Sequence, residues 1–196
     1  MNKEWAEMNK TLQLQIKKKD TFAMGIDTLL ELRRTLMELI MQFKNELSDT
    51  DFCAMPYINA KGYHSKTIAY SLWHIFRIED IVAHSLIAND EQILFVGDYQ
   101  SRIKSPIITT ANELEKEEIG EFSKKLSIEE LYNYIVDVDE STTRILKALT
   151  YNDLKEKISD DRRKQLETLN VVSMDENAHW LIDYWCGKDV KGLIQM

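Results

Sequence analysis

The sequence predicts an all-α protein, a bundle of long helices joined by long crossover connections. Only 6 glycines and 2 prolines among 196 residues leave few turn-makers for a many-stranded sheet. Apolar residues also recur at three- and four-residue steps over several long stretches, the period of a helix with one buried face. Hydrophobic and charged contents of 44% and 30% suit an ordinary globular protein. The length suits a single domain over 1–196 with a real core.

Residues 2–18 form an N-terminal helical extension, with Trp5, Met8, Leu12 and Ile16 on one stripe. Asp20 or Thr21 can cap a longer helix over 20–47. In it Phe22, Ile26, Leu29, Leu36, Ile40, Phe43 and Leu47 recur at helical steps. Arg33 interrupts that stripe, and such an arginine snorkels to the surface or pairs with an acid. From Ser48 to Tyr63 the pattern lapses. Asp49, Asp51, Pro56, Asn59 and Gly62 mark a loop of about 15 residues, a length that often carries function. His64 ends it, beside the plausible cap Ser65, and suits a surface or capping role.

Residues 65–89 read as the most buried helix, with Arg77, Glu79 and Asp80 the only full charges between Thr67 and Ile87. Apolar positions surround its axis on more than one side, as in a central bundle helix. His74 shares a face with Tyr70, Ile78 and Ile81, whereas His84 lies about 80° away, in line with Trp73, Arg77 and Asp80. The two histidines therefore cannot clasp one metal as an i, i+4 pair. Asp90 to Lys125 reads as an irregular, polar crossover, with turns at Phe95–Asp98 and at Ser105-Pro106. A third strong helix spans 127–150, opened by the capping-box pattern Ser127-Ile128-Glu129-Glu130. A weaker helical region covers 153–188 and ends in a short segment with His179, Trp180, Tyr184 and Trp185.

Several classes are disfavoured. A net charge of −8 opposes nucleic-acid binding, which needs a basic field. The one basic cluster, Lys17 to Lys19, suits a solvated helix end. No apolar run reaches 18 residues and the N-terminus lacks an apolar signal core, which points to the cytoplasm and away from a membrane. Cys53 and Cys186 are too few and too far apart for a disulfide framework or a zinc knuckle. Phosphate loops, nucleophile elbows, zinc-protease helices and EF-hand loops are absent. Four histidines and many acids remain. A mononuclear metal site in a bundle needs three nitrogen or oxygen ligands converging from different helices. His74 is placed to supply one, or to be a satisfied core histidine. His179 has Asp175 and Asp183 one turn away on either side, a spacing that suits a metal clasp, a histidine–carboxylate pair or plain surface contacts.

The stretch SLWHIFRIEDIVAHSLIANDEQ resembles the "lWHi.RiED…Q" segment of the DinB/YfiT-like superfamily of metal-dependent enzymes. WAEMNKTLQ, EEIGEFSKKLSIEELYNYI, TTRILKALTYNDLKEKI and WLIDYWCGKDVKGLIQM extend the likeness along most of the chain. The resemblance implies a four-helix bundle, commonly a homodimer, holding a divalent metal such as zinc or nickel on three histidines. It implies a hydrolase or thiol transferase acting on a small molecule. The first family histidine falls on His74. The other two belong to a closing helix that, in the similar subgroup, follows a segment like GLIQM, and this sequence stops at Met196. The resemblance thus carries over His74 alone, with His179, Asp175 and Asp183 as substitutes to consider. Two expectations follow: a final helix beyond Met196 in the native product, or a member without the metal site. A bundle short of that helix exposes an apolar groove, to be covered by the N-terminal helix or a partner subunit. The alternative function is a metal-free bundle that binds or scaffolds, through this groove and the 48–63 loop.

Overall fold

The computed structural model describes residues 3–59 and 65–196, so His64 and the end of the 48–63 loop lie outside the described residues. Among them the regular structure is helical, apart from one isolated bridge between Lys157 and Asp189. No described helix is long and apolar enough to cross a membrane.

Helix α1 (Lys3–Gln15) folds back on α2 (Phe22–Glu46) through a turn that includes a 3-10 segment, Lys19–Thr21. The expected stripe is the contact: Leu12 and Ile16 are buried with Phe22, Ile26 and Leu32, and Trp5 and Met8 are partly covered. At Gly25 the helices approach so closely that a Cβ would lie 3.0 Å from the Ile16 amide nitrogen, leaving room for hydrogen alone. Thr21 does not cap α2 through its side chain; its hydroxyl donates to the Gln15 carbonyl at 2.6 Å and closes the turn instead.

The segment after α2 is not all loop. Ser48 opens a short helix α3 (Asp49–Cys53) with a reciprocal capping box, its Oγ accepting from Asp51 N and the Asp51 carboxylate from Ser48 N. Five residues are too few to show a helical period, whereas two satisfied amides suffice to close one turn. Helix α4 (Ile68–Asp80) starts at Thr67, not Ser65. Thr67 Oγ accepts from Tyr70 N at 3.0 Å and bonds Ser123 Oγ at 2.6 Å, so the cap also ties α4 to α7 (Glu117–Lys125). Helix α4 runs on into a π-helical segment, Ile81–Ala88, which ends at Asn89 in the left-handed conformation with φ 58. Arg162 of α9 (Asp160–Leu169) donates to the Leu86 carbonyl at 2.6 Å, one of the acceptors that a helix end leaves open.

Residues 90–125 are more ordered than their composition suggests. They hold α5 (Ile93–Val96), α6 (Tyr99–Ile103) and α7, and bury Leu94, Tyr99, Ile103, Ile119 and Phe122. Helix α8 (Ile128–Ala148) begins at the expected cap, Ser127, and packs against α2, α4 and the π segment. Helices α10 (Glu176–Cys186) and α11 (Val190–Ile194) complete the described chain. Three apolar clusters result. The largest joins α4 to α8 with the short helices α3, α5, α6 and α7. A second lies between the π segment, α9 and α10. The third holds the α1–α2 hairpin.

The charged part of the central helix is buried rather than solvated. Arg77 and Asp80 are 0% exposed and pair at 3.1 Å. Arg77 also reaches Gln92 Oε1 at 2.5 Å, and Gln92 donates to Ser85 Oγ at 2.7 Å. Asp80 accepts from the amides of Ile93 and Leu94 and from the Tyr134 hydroxyl, at 2.8, 3.0 and 2.8 Å. One carboxylate thus holds the start of α5 and the middle of α8, and its own negative charge is answered by four donors. Removing it would leave Arg77 charged and unpaired in the core. Asp80→Ala is expected to cost about 3–5 kcal/mol of stability, read from urea denaturation; a loss within about 0.5 kcal/mol, as at an ordinary surface position, would refute this account.

Candidate functional site

The side chains of α4 hold the crossover in place one residue at a time. Arg77 Nε donates to the Ile108 carbonyl at 2.7 Å, and Trp73 Nε1 to Thr109 at 3.0 Å. His74 Nδ1 bonds the Thr110 carbonyl at 2.7 Å, and the Tyr70 hydroxyl donates to Ala111 at 3.0 Å. Four successive carbonyls therefore take four donors from one helix; the outer two pairs run antiparallel, and Trp73 and His74 cross between them to reach Thr109 and Thr110. Ala111 is fully buried and held at φ 64, a conformation costly for a residue with a Cβ.

This ladder decides the chemistry of His74. A carbonyl can only accept, so Nδ1 carries the hydrogen and Nε2 keeps its lone pair. The ring is half-buried and stacks on Tyr70, with centroids 5.7 Å apart and planes 9° from parallel. Burial holds the imidazole below its ordinary pKa of 6.5 against the upward pull of the Thr110 bond; Lys66 adds a smaller downward push and Glu113 a smaller upward one. At neutral pH His74 is an uncharged ring offering one nitrogen.

His74 lines a cavity of about 550 Å³, within the range of small-molecule sites. Its walls are mostly apolar: Ile75, Ile78 and Val82 on one side, Leu146 on another, and Trp180 and Tyr184 across from them on α10. No residue of α1 lines it, because α1 lies on α2. The two α10 aromatics meet edge to face with centroids 5.7 Å apart, and are 49% and 47% exposed at the mouth. Among the described residues, the polar side chains on the cavity include His74, Asn112, Thr142 and the pair Arg33–Glu79.

Arg33 does not reach the surface alone; it pairs with acids from two other helices. Its NH1 and NH2 donate to the two Glu79 oxygens at 2.9 and 2.7 Å, and NH2 also donates to Asp139 at 2.5 Å. The residue that breaks the α2 stripe thus joins α2, α4 and α8. Burial raises the Asp139 pKa above the ordinary carboxylate range, with Arg33 opposing it.

The other residues singled out from sequence lie elsewhere. His84 is 3% exposed, with Nδ1 2.6 Å from Asp90 and Nε2 4.0 Å from Asp80, and does not line the cavity. His179 is half-buried on α10, outside the cavity lining. Asp175 precedes α10 exposed, its carbonyl accepting from His179 N at 2.8 Å, and exposed Asp183 pairs with Arg163 at 2.6 Å. Among the described residues no group of three or more His, Cys, Asp or Glu side chains could hold a metal ion. His74 alone supplies one ligand, which does not make the three-ligand set implied by the resemblance. The sequence reading gave Trp180 and Tyr184 no site role, and it offered Arg33 an acidic partner without singling out Glu79. The i, i+4 spacing of the two aromatics was the one available signal.

Two measurements follow from the His74 geometry. By NMR titration its imidazole should show Nε2 unprotonated at pH 7.5 and a midpoint below 6.5. Because the folded pKa lies below the unfolded one, the unfolded chain takes up the proton first. The contribution of His74 to stability is complete above pH 6.5 and is lost as pH falls from there through the folded value. The wild type should lose more stability than His74→Phe between pH 7.5 and 5.5; equal losses would contradict the burial of a neutral ring. Comparison with known proteins gives no matching family model and no matching curated protein.

Proposed function

We propose that this chain is a DinB-like four-helix-bundle protein of the cytoplasm, a metal-dependent enzyme of the hydrolase or thiol-transferase kind. Its small-molecule site is the cavity between α4, α8 and α10, and His74 Nε2 is the ligating atom. The observation that carries this reading is the placement of His74, with Nδ1–H anchored on a backbone carbonyl, so that Nε2 keeps its lone pair, and with the residue on the cavity wall. Metal-binding imidazoles are commonly oriented in this way. The sequence words SLWHIFRIED add support, since His74 lies at the family histidine. Zinc or nickel bound there would act as a Lewis acid, and its remaining ligands would come from outside the described residues. The half-exposed Ile75, Trp180 and Tyr184 support pairing with a second copy as a homodimer.

A second reading, a metal-free bundle that only binds its small molecule, is favoured by one specific observation. His74 has no companion ligand among the described residues, and both oxygens of the nearby Glu79 are engaged by Arg33. Calorimetric titration with zinc and with nickel separates the two. The metal reading expects about one ion per chain, with binding weakened at least about ten-fold in His74→Ala. Uptake of neither ion, or uptake indifferent to His74, would sink it and leave the metal-free reading.

A further inference from the structure

We propose that the cavity beside His74 selects an uncharged, largely apolar molecule carrying one hydrogen-bond donor, and discriminates against carboxylates and ammonium groups of the same size. The inference names the ligand class of the site proposed above and rests on its metal-free reading, in which no ion occupies Nε2.

A cavity with an arginine in its wall ordinarily invites an anion, because the guanidinium clamps a carboxylate with two parallel bonds. Here that capacity is already in use. NH1 and NH2 of Arg33 donate to Glu79 and Asp139, and the remaining Nε is buried without a partner. One cation facing two carboxylates leaves no positive charge over for a ligand. An anionic head entering the cavity would lose its hydration and meet no counter-charge. An ammonium head would have to share a carboxylate with Arg33. Glu79 accepts at both oxygens from Arg33, and Asp139, which holds the same guanidinium, is not part of this wall.

What the wall does offer is an acceptor on His74, with the Asn112 amide and the unpartnered Thr142 hydroxyl as the other uncharged polar groups. With Nδ1–H fixed on Thr110, His74 Nε2 presents a lone pair and no proton. His74 shares the cavity wall with Ile75, Ile78, Val82, Trp180 and Tyr184, which favour an apolar body. A hydroxyl or N–H on such a body would satisfy Nε2. A group of equal shape lacking the hydrogen would leave it dry and unpaired, the kind of loss by which polar sites reject analogues.

Four probes of one chain length test this below their micelle concentrations: 1-octanol, methyl octyl ether, octanoate and octylamine, each followed by calorimetry and by the emission of Trp180 at the cavity mouth. Octanol should bind at least ten-fold more tightly than each of the other three. In His74→Ala, and in His74→Phe, which keeps a ring on Tyr70, octanol should fall to the level of the ether while the ether is unchanged. Octanoate or octylamine binding as well as octanol would overturn the inference. So would an octanol-to-ether ratio unaffected by both variants, or no binding by any probe. None of these failures touches the metal titration, which tests the placement of a metal on His74 by itself.

Discussion

Ile108 to Ala111 pass α4 as irregular, largely buried backbone with no strand beside them, and their four carbonyls must find donors within the protein. Each unmet acceptor in such a place costs on the order of 1–3 kcal/mol. Tyr70, Trp73, His74 and Arg77 meet all four. The motif that dominates the sequence is thus first a set of donors. Spread over two turns of helix, they meet a chain that runs the opposite way overall, with Trp73 and His74 crossing to reach Thr109 and Thr110. Much else depends on those bonds: the position of the crossover, the course of the chain into α7, and the tautomer of His74 on the cavity.

A second layer of buried polarity lies one turn further along. Asp80 gathers Arg77, Tyr134 and two amides of α5, while Arg33 draws Glu79 and Asp139 together from α4 and α8. Ion pairs of this kind are poor sources of net stability, because desolvation offsets most of the attraction. Their effect here is on alignment. Apolar side chains tolerate a helix that slides or rotates by a fraction of a turn, whereas a carboxylate with four donors does not. The cavity lies against these fixed points, and its shape depends on helices that are held in register by charge.

The long helices were legible because their signals are local. The Trp5–Met8–Leu12–Ile16 stripe and the Ser127 cap each involve residues within a few turns of one another, and they form the expected contacts. Signals that fail are either too short or too distant. Asp49–Cys53 is a single turn closed by a cap, below the reach of any period. The polar look of Thr109 to Ala111 concealed backbone whose partners lie 36 and 41 residues back. Arg33 announced a partner, yet its acids sit 46 and 106 residues away, and nothing in the sequence selects them from the rest. His74 could be singled out by type and neighbours. That it lines a cavity, and that Glu79 on the same cavity is already engaged by Arg33, are facts of packing alone.

The carbonyl ladder also orders events during folding. Its four donors fall on one side of α4 only once residues 68–80 are helical; along an unfolded chain they point in all directions. The crossover therefore has nothing to dock on until that helix exists, and closing the loop between them comes at a cost in chain entropy that no single bond of the four would offset. Residues 108–111 should be late to settle and the first to come away, so that the side of the cavity nearest His74 is the last part of the site to take its final form.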